Sequence, residues 1–213
     1  MKKISQSAIE RLAKYYRTLE LFELKGEVTI SSDDLADNDG ITSAQVRKDL
    51  SYFGTFGKRG FGYNTITLKS QIQEILGLNK TWNMAVVGVG NIGKALISFN
   101  DFRRYGFYIR AIFDQDPKKI GLDYYGLTVH DMSSFTQRIK HLNIKIGVIA
   151  VQAEHAQSVC DLMVDSRIEA IMSFAPKNLR VPDDVVVRYQ NIAIGLESLT
   201  YNLTQRENRE DDK

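Results

Sequence analysis

Met84-Ala85-Val86-Val87-Gly88-Val89-Gly90-Asn91-Ile92-Gly93-Lys94-Ala95-Leu96-Ile97 is the stretch on which the fold turns. Four apolar residues run into three glycines spaced G-x-G-x-x-G, and a helical pattern follows. A strand before the glycines and a helix after them separate a nucleotide-binding turn from a chance triad. Each glycine then has a physical task. Gly88 permits a tight turn, Gly90 lets backbone approach a pyrophosphate, and Gly93 lets the helix lie close to the sheet. The helix N-terminus offers free amide donors and the positive end of its dipole to that anion. Asp114, which ends the apolar run Ile109-Arg110-Ala111-Ile112-Phe113, lies 21 residues past Gly93. That is close to the ~20 expected of the acid that takes the adenosine ribose hydroxyls. A carboxylate there repels a 2′-phosphate, which favours NAD(H) over NADP(H).

Outward from this turn the chain alternates. Strands are expected at 83–88, 107–113, 145–151, 168–174 and 186–190, and helices at 91–102, 131–142, 153–166 and 194–206. Ile146-Gly147-Val148-Ile149-Ala150-Val151 is apolar on both faces, as a strand buried in a parallel sheet must be. Residues 81–213 therefore read as a Rossmann domain with a mostly parallel sheet, and Asn79-Lys80-Thr81 as the boundary before it.

Residues 1–80 have a different texture. Ile4, Ala8, Leu12, Tyr15, Leu19 and Phe22 form one apolar face of a helix expected over 5–24. Ser31 with Asp34 opens a second helix as a capping box, and Asn38-Asp39-Gly40 turns the chain. Thr42 with Gln45 reads as another capping box, opening a helix that runs to about Phe53. Two short helices about a glycine-bearing turn have helix-turn-helix proportions. Val46, Leu50 and Phe53 share the inward face of the second. Ser43, Gln45, Arg47, Lys48, Ser51 and Tyr52 are left for DNA, with Arg and Gln suited to base edges and Lys and the hydroxyls to phosphates. Gly54, Gly57, Gly60 and Gly62 punctuate an expected β-hairpin, a wing with Lys58, Arg59 and Gly60 at its basic tip, followed by a linking helix over 69–78.

Bulk composition narrows the remaining classes. A net charge of +2 does not announce a nucleic-acid partner, but the cations of 42–69 (Arg47, Lys48, Lys58, Arg59, Lys69) face only Asp49. Such local concentration is what a phosphate footprint needs. A single cysteine, Cys160, allows no disulfide within the chain, and its apolar neighbours Val159 and Met163 place it in the core. The sequence shows neither a signal-peptide pattern nor an apolar run of the ~18 residues a membrane span needs, so a cytoplasmic protein is expected. His130, His141 and His155 lack metal spacing, and His155 reads as a solvated helix-start residue. No nucleophile is placed beside a base, and 133 residues leave no room for a substrate domain, so no catalytic residue and no metal site are expected.

The residues collected so far resemble the Rex family of redox-sensing bacterial repressors. The most specific stretch is Ile41-Thr42-Ser43-Ala44-Gln45-Val46-Arg47-Lys48-Asp49-Leu50-Ser51-Tyr52-Phe53-Gly54, continued by Gly57-Lys58-Arg59-Gly60-Phe61-Gly62-Tyr63. The glycine motif with Asn91, the run Phe113-Asp114-Gln115-Asp116-Pro117-Lys118-Lys119-Ile120-Gly121, and Ser173-Phe174-Ala175-Pro176 are similar to the family too. The resemblance implies a homodimer whose winged helices bind a palindromic operator on double-stranded DNA. It implies that NADH releases DNA while NAD+ permits binding. It also implies that the last helix swaps across the dimer, with Ile194, Leu196, Leu199 and Leu203 on its apolar face. Two positions depart from the family pattern: Phe99 stands where tyrosine is usual, and Asn191 where aspartate is usual. Both family residues are placed near the nicotinamide. Gln152 replaces a common proline.

The expected cofactor residues are thus Gly88, Val89, Gly90, Asn91, Ile92, Gly93, Phe99, Asp114, Asp116, Val151, Gln152, Phe174 and Asn191. The expected function is a transcriptional repressor that reads the NADH/NAD+ balance. The alternatives are a regulator with an altered redox response or another nucleotide ligand such as coenzyme A, and a small NAD-dependent oxidoreductase.

Overall fold

The computed structural model describes residues 4–57 and 60–211. The chain divides into two compact units, Met1–Lys80 and Thr81–Lys213.

The first unit is built on α1 (Gln6–Leu24), capped by the Ser5 side chain, with Ala8, Leu12, Tyr15 and Leu19 buried along one face. α2 (Ser32–Asp39) has the expected Ser31–Asp34 capping box and ends on Gly40 in the left-handed region. α3 (Ser43–Ser51) starts from Thr42, whose side chain accepts from the Gln45 amide. The reciprocal bond of the expected second capping box is not made; Gln45 turns its amide to Asp49 instead, because a buried carboxylate is a stronger acceptor than the N-cap backbone is a partner. β1 (Thr29–Ile30) and β2 (Tyr63–Asn64) pair antiparallel. The expected hairpin within 54–68 is corrected on this point: the strand after the wing pairs with residues ahead of α2. Gly62 explains why, since a Cβ there would lie 2.6 Å from the Ile30 carbonyl oxygen. α4 (Thr65–Ile75) begins four residues before the expected 69, because Asn64 caps it through the Thr67 amide. Lys58 and Arg59, the expected wing tip, lie outside the described residues.

The second unit holds a seven-stranded sheet in the order β5-β6-β4-β3-β7-β8-β9, parallel except at β5. Its strands are β3 (Trp82–Val87), β4 (Phe107–Asp114), β5 (Asp123–Tyr124), β6 (Leu127–Asp131), β7 (Ile146–Ile149), β8 (Ala170–Ser173) and β9 (Val186–Tyr189). Alternation within β3 and β4 sorts the core into two layers. Ala85, Val87, Ala111 and Phe113 pack with α7 (Phe135–His141) and α8 (Ala153–Asp165). Val86 and Ile112 pack on the opposite face with Ile97 of α5 (Asn91–Ile97).

Three expectations change here. The helix expected over 91–102 breaks into α5 and α6 (Asp101–Arg104), since the Ser98 hydroxyl turns back onto the Ala95 carbonyl where α5 stops. Residues 127–131 form β6, where no strand is expected, and Asp131 ends that strand instead of opening a helix. The helix that follows starts later, after a 3-10 turn at Met132–Ser134. The last helix, α9 (Ile192–Asp211), is longer than the expected 194–206. Asn191 opens it early by accepting the Ala193 amide. From 192 to 209 every residue of α9 is exposed, Ile194, Leu196, Leu199 and Leu203 included.

Candidate functional site

β3 lies between β4 and β7, so the chain winds outward in opposite directions from it. In open α/β sheets the crevice beyond the carboxyl ends of the strands at such a switch point is where ligands bind. A cavity of about 310 Å³ opens there. The end of β3 lends Val87, Gly88 and Gly90, the end of β4 lends Asp114, and the segment after β7 lends Ala150, Val151 and Gln152.

The glycines behave as their spacing requires. Gly88 has φ +98°, and a Cβ on it would sit 2.5 Å from the Ala150 carbonyl oxygen. A Cβ on Gly93 would sit 1.9 Å from the Gly88 carbonyl oxygen. Nothing lies within 4 Å of the Cβ position of Gly90, which caps α5 without a side chain and leaves its first amides for a ligand.

Asp114 is the electrostatic centre. It accepts from the Val89 amide at 2.8 Å, the Asp116 amide at 2.9 Å and Lys119 Nζ at 2.9 Å. Burial raises its pKa, but the donations from Asp116, Lys119 and Val89 outweigh burial and hold it below the ordinary carboxylate range. The acid is therefore ionised at neutral pH and fixed in place.

The expected cofactor residues divide. Gly88, Gly90, Asp114, Asp116, Val151 and Gln152 line the cavity. Val89 does not line the cavity: its amide is given to Asp114 and its side chain is core. Asn91, Ile92 and Gly93 form the first turn of α5. Phe99, Phe174 and Asn191 are not among the lining residues. Phe99 is 51% exposed and edge-on to Phe102, Phe174 packs against the α5-side core, and Asn191 caps α9. Lys119, Met132, His155 and Val159 line the cavity although sequence reasoning assigned none of them to it. His155, read as solvated, is half-buried and belongs to the cavity wall, since α8 starts there directly above the end of β7. Cys160 is fully buried, and burial raises its thiol pKa to about 11, as the core reading expects.

In the first unit, Arg47, Lys48, Ser51 and Tyr52 are exposed on α3 and Ser43 is partly so. Arg47 donates to Ser32 Oγ at 2.8 Å and lines, with Ser51 and Gly60, a cleft of about 830 Å³ beside α2 and the wing glycines. Gln45, expected to read DNA, donates one Nε2 hydrogen to Asp49 Oδ1 at 2.7 Å. Asp49 is fully buried and also accepts two bonds from Arg11, at 2.6 and 2.8 Å, and one from the Tyr15 hydroxyl at 2.8 Å. Burial raises the Asp49 pKa, but these donors outweigh it and hold the acid ionised, below its usual range. α3 is thereby tied to α1 through one carboxylate that the sequence reading passed over.

Among the described residues, no helix is long and apolar enough to cross a membrane, and no group of three or more His, Cys, Asp or Glu could hold a metal ion.

A helix-turn-helix unit joined to a Rossmann unit defines a class: transcriptional regulators that couple DNA to a nucleotide signal. A family model described as "CoA binding domain" matches residues 79–177, and one described as "Putative DNA-binding protein N-terminus" matches residues 3–51. The redox-sensing transcriptional repressor Rex of Carboxydothermus hydrogenoformans is 47% identical over 94% of this chain and 97% of its own. That of Desulforamulus reducens is 43% identical over 96% and 98%. Among solved structures, RSP in complex with beta-NAD+ and operator DNA matches with a TM-score of 0.91 and 34% identity, covering 99% of this chain and 97% of RSP. RSP in complex with beta-NADH matches with a TM-score of 0.89 and 33% identity over all of both chains. The chain belongs to the Rex family of redox-sensing transcriptional repressors. It is a repressor rather than an enzyme.

Proposed function

We propose that the chain represses transcription in the cytoplasm by binding a palindromic operator as a homodimer, and that NADH bound to the second unit weakens that binding. The observation that carries the reading is the cleft at the switch point, with Gly88 making the tight turn, Gly90 open for a diphosphate and an ionised, fixed Asp114 for the adenosine ribose. Residues 1–80 serve as the winged-helix DNA-binding domain and 81–213 as the dinucleotide-binding and dimerisation domain. Arg47, Lys48, Ser51 and Tyr52 meet DNA from the exposed end of α3, and Lys58, Arg59 and Gly60 also take part in DNA binding. Gln45 acts by holding α3 to Asp49. Of the expected face of α9, Leu196, Leu199 and Leu203 recur at helical spacing with Ile192 in place of Ile194, which falls off that stripe, and the stripe is uncovered in the single chain. A contiguous exposed apolar face of that kind marks an interaction site, which supports a swapped helix seated on the partner. The dimer has two states that differ in the spacing of its recognition helices, of which one matches half-sites about 34 Å apart. NADH and NAD+ shift that balance only by their differential affinity for the two states.

Fluorescence anisotropy with a palindromic duplex at fixed salt, without cofactor, with NAD+ and with NADH, tests this reading. Release by NADH alone supports it; DNA binding indifferent to both forms refutes the redox response. The match to a CoA binding domain favours a second reading, in which coenzyme A is the ligand. A coenzyme A arm in the same titration separates the two.

A further inference from the structure

At the opposite edge of the sheet from the dinucleotide cleft, where the chain enters β7 and β8, a second cavity of about 270 Å³ lies between the last turns of α7 and α8. Ile139 and Ile144, both 2% exposed, give it an apolar floor. Lys140, Lys145 and Arg167 stand in its walls against a single acid, Asp165. Lys145 is paired with Glu169, but among the described residues the side chains of Lys140 and Arg167 have no partner. The Thr136 hydroxyl and that of the buried Ser166 meet there at 2.8 Å. Whichever of the two donates, the other keeps a hydrogen for a ligand.

The backbone around Arg167 points the same way. Both helices close alike: the Asn143 and Arg167 amides donate to the Lys140 and Val164 carbonyls, and the Ile144 and Ile168 amides to those of Ile139 and Met163. These caps satisfy carbonyls that a neighbouring cation would otherwise take. Such closure sets the residue after each helix in the left-handed region, Asn143 at φ +47° and Arg167 at φ +66°. Glycine takes that position freely and asparagine tolerates it, whereas an arginine there is strained. What arginine adds over glycine is a guanidinium on the cavity wall, whose fork matches the oxygens of a phosphate. We propose that this cavity binds a small phosphate ester. Arg167 and Lys140 take the phosphate oxygens, the free hydroxyl of the Thr136–Ser166 pair donates beside them, and the carbon chain of the ester lies on Ile139 and Ile144. The inference does not depend on what fills the dinucleotide cleft.

Phosphorus NMR titration of the full-length protein with glycerol 3-phosphate and with inorganic phosphate tests it, on the wild type, Lys140→Met, Arg167→Gly and Asp165→Asn. The wild type is expected to bind glycerol 3-phosphate at millimolar concentration, more tightly than inorganic phosphate. Lys140→Met and Arg167→Gly each weaken the ester by at least about tenfold, the factor carried by one charge-assisted hydrogen bond. Asp165→Asn tightens it by removing the one repelling charge. Because glycine suits φ +66°, Arg167→Gly keeps the last turn of α8 at least as protected in amide hydrogen exchange as in the wild type. A wild type that binds neither phosphate overturns the proposal. So does binding that Lys140→Met and Arg167→Gly leave unchanged, which places the ester elsewhere, or inorganic phosphate held as tightly as its ester. Loss of α8 protection in Arg167→Gly overturns it too, because the arginine is then a structural cap.

Discussion

Replacing Asp49 by alanine removes four hydrogen-bond acceptances at once, from Arg11 twice, Tyr15 and Gln45. Tyr15 is fully buried, so its hydroxyl loses the Asp49 acceptor where water does not reach it. An unsatisfied buried polar group costs about 1–3 kcal/mol. Breaking a buried ion pair from one side costs about 3–5 kcal/mol. Arg11 keeps 21% of its side chain exposed, and water takes up part of its charge. The expected loss therefore sits at the low end, about 3 kcal/mol. Because the chain has two compact units, a global melt mixes them. Amide hydrogen exchange along α1 and α3 in the full-length protein isolates the effect. There, 3 kcal/mol accelerates exchange of the best-protected amides by about 100-fold. Arg11→Met combined with Asp49→Ala closes a double-mutant cycle with a coupling of at least about 1 kcal/mol. Operator affinity falls with the loosened α3, while dinucleotide affinity, which resides in the other unit, does not. The same carboxylate sets an acid limit. Its pKa is lowered on folding, so its stabilisation is complete above the unfolded value of about 3.9 and is lost as pH falls from there through the folded value. Exchange in α1 and α3 should accelerate over that window in the wild type and stay flat in Asp49→Ala. Protection within threefold of wild type in Asp49→Ala, or strict additivity with Arg11→Met, refutes the claim that this carboxylate fastens α3 to α1.

Three further variants probe the other elements. Gly93→Ala forces a Cβ to within 1.9 Å of the Gly88 carbonyl oxygen, so the glycine turn must open. NADH binding by calorimetry should drop at least about 100-fold while circular dichroism of the sheet persists. Leu199→Glu places a charge in the uncovered stripe of α9, and sedimentation should show monomer for it and the proposed dimer for the wild type. A dimer persisting at micromolar concentration would mean that α9 is not the interface. Phe99→Tyr with Asn191→Asp restores the hydroxyl and the charge usual in the family and should widen the difference between operator affinities with NADH and with NAD+. An unchanged difference means these two positions do not sense the nicotinamide.

What could be read in the sequence was local. The glycine turn, the Ser31–Asp34 box and the amphipathic α1 depend on residues within a few positions of one another, and each is present. What could not be read depends on distant partners. Gln45 looks outward by helical spacing, and only the burial of Asp49, itself fixed by Arg11 from 38 positions away, turns it inward. β2 pairs with β1 because Gly62 lets the chain press against Ile30, a contact across more than 30 residues. Lys119 and His155 join the cleft only once the sheet order brings the ends of β4 and β7 to either side of β3. The sequence signal for Lys119 was present in the Asp114-Gln115-Asp116 turn that leads to it, where five residues suffice to bring an ammonium back onto the acid.

The placement of these residues separates affinity from sensing. NAD+ and NADH share their adenosine diphosphate, and Gly88, Gly90 and Asp114 address that shared half on our reading of the cleft. Contacts to a shared half add the same free energy to both complexes, and equal affinities shift no equilibrium. Discrimination must then arise from groups that meet the nicotinamide, and Phe99 and Asn191, where this chain departs from its family, lie outside the cavity of the single chain. Asn191 opens α9, whose apolar stripe has no cover within that chain. A second copy that covers α9 would set the residue that starts this helix and the redox-sensitive end of the ligand in one assembly. Variants of Asp114 should therefore move the NADH and NAD+ affinities by one common factor. Variants at Phe99 and Asn191 should change their ratio, and substitutions that weaken the dimer should diminish that ratio even where the cleft is intact.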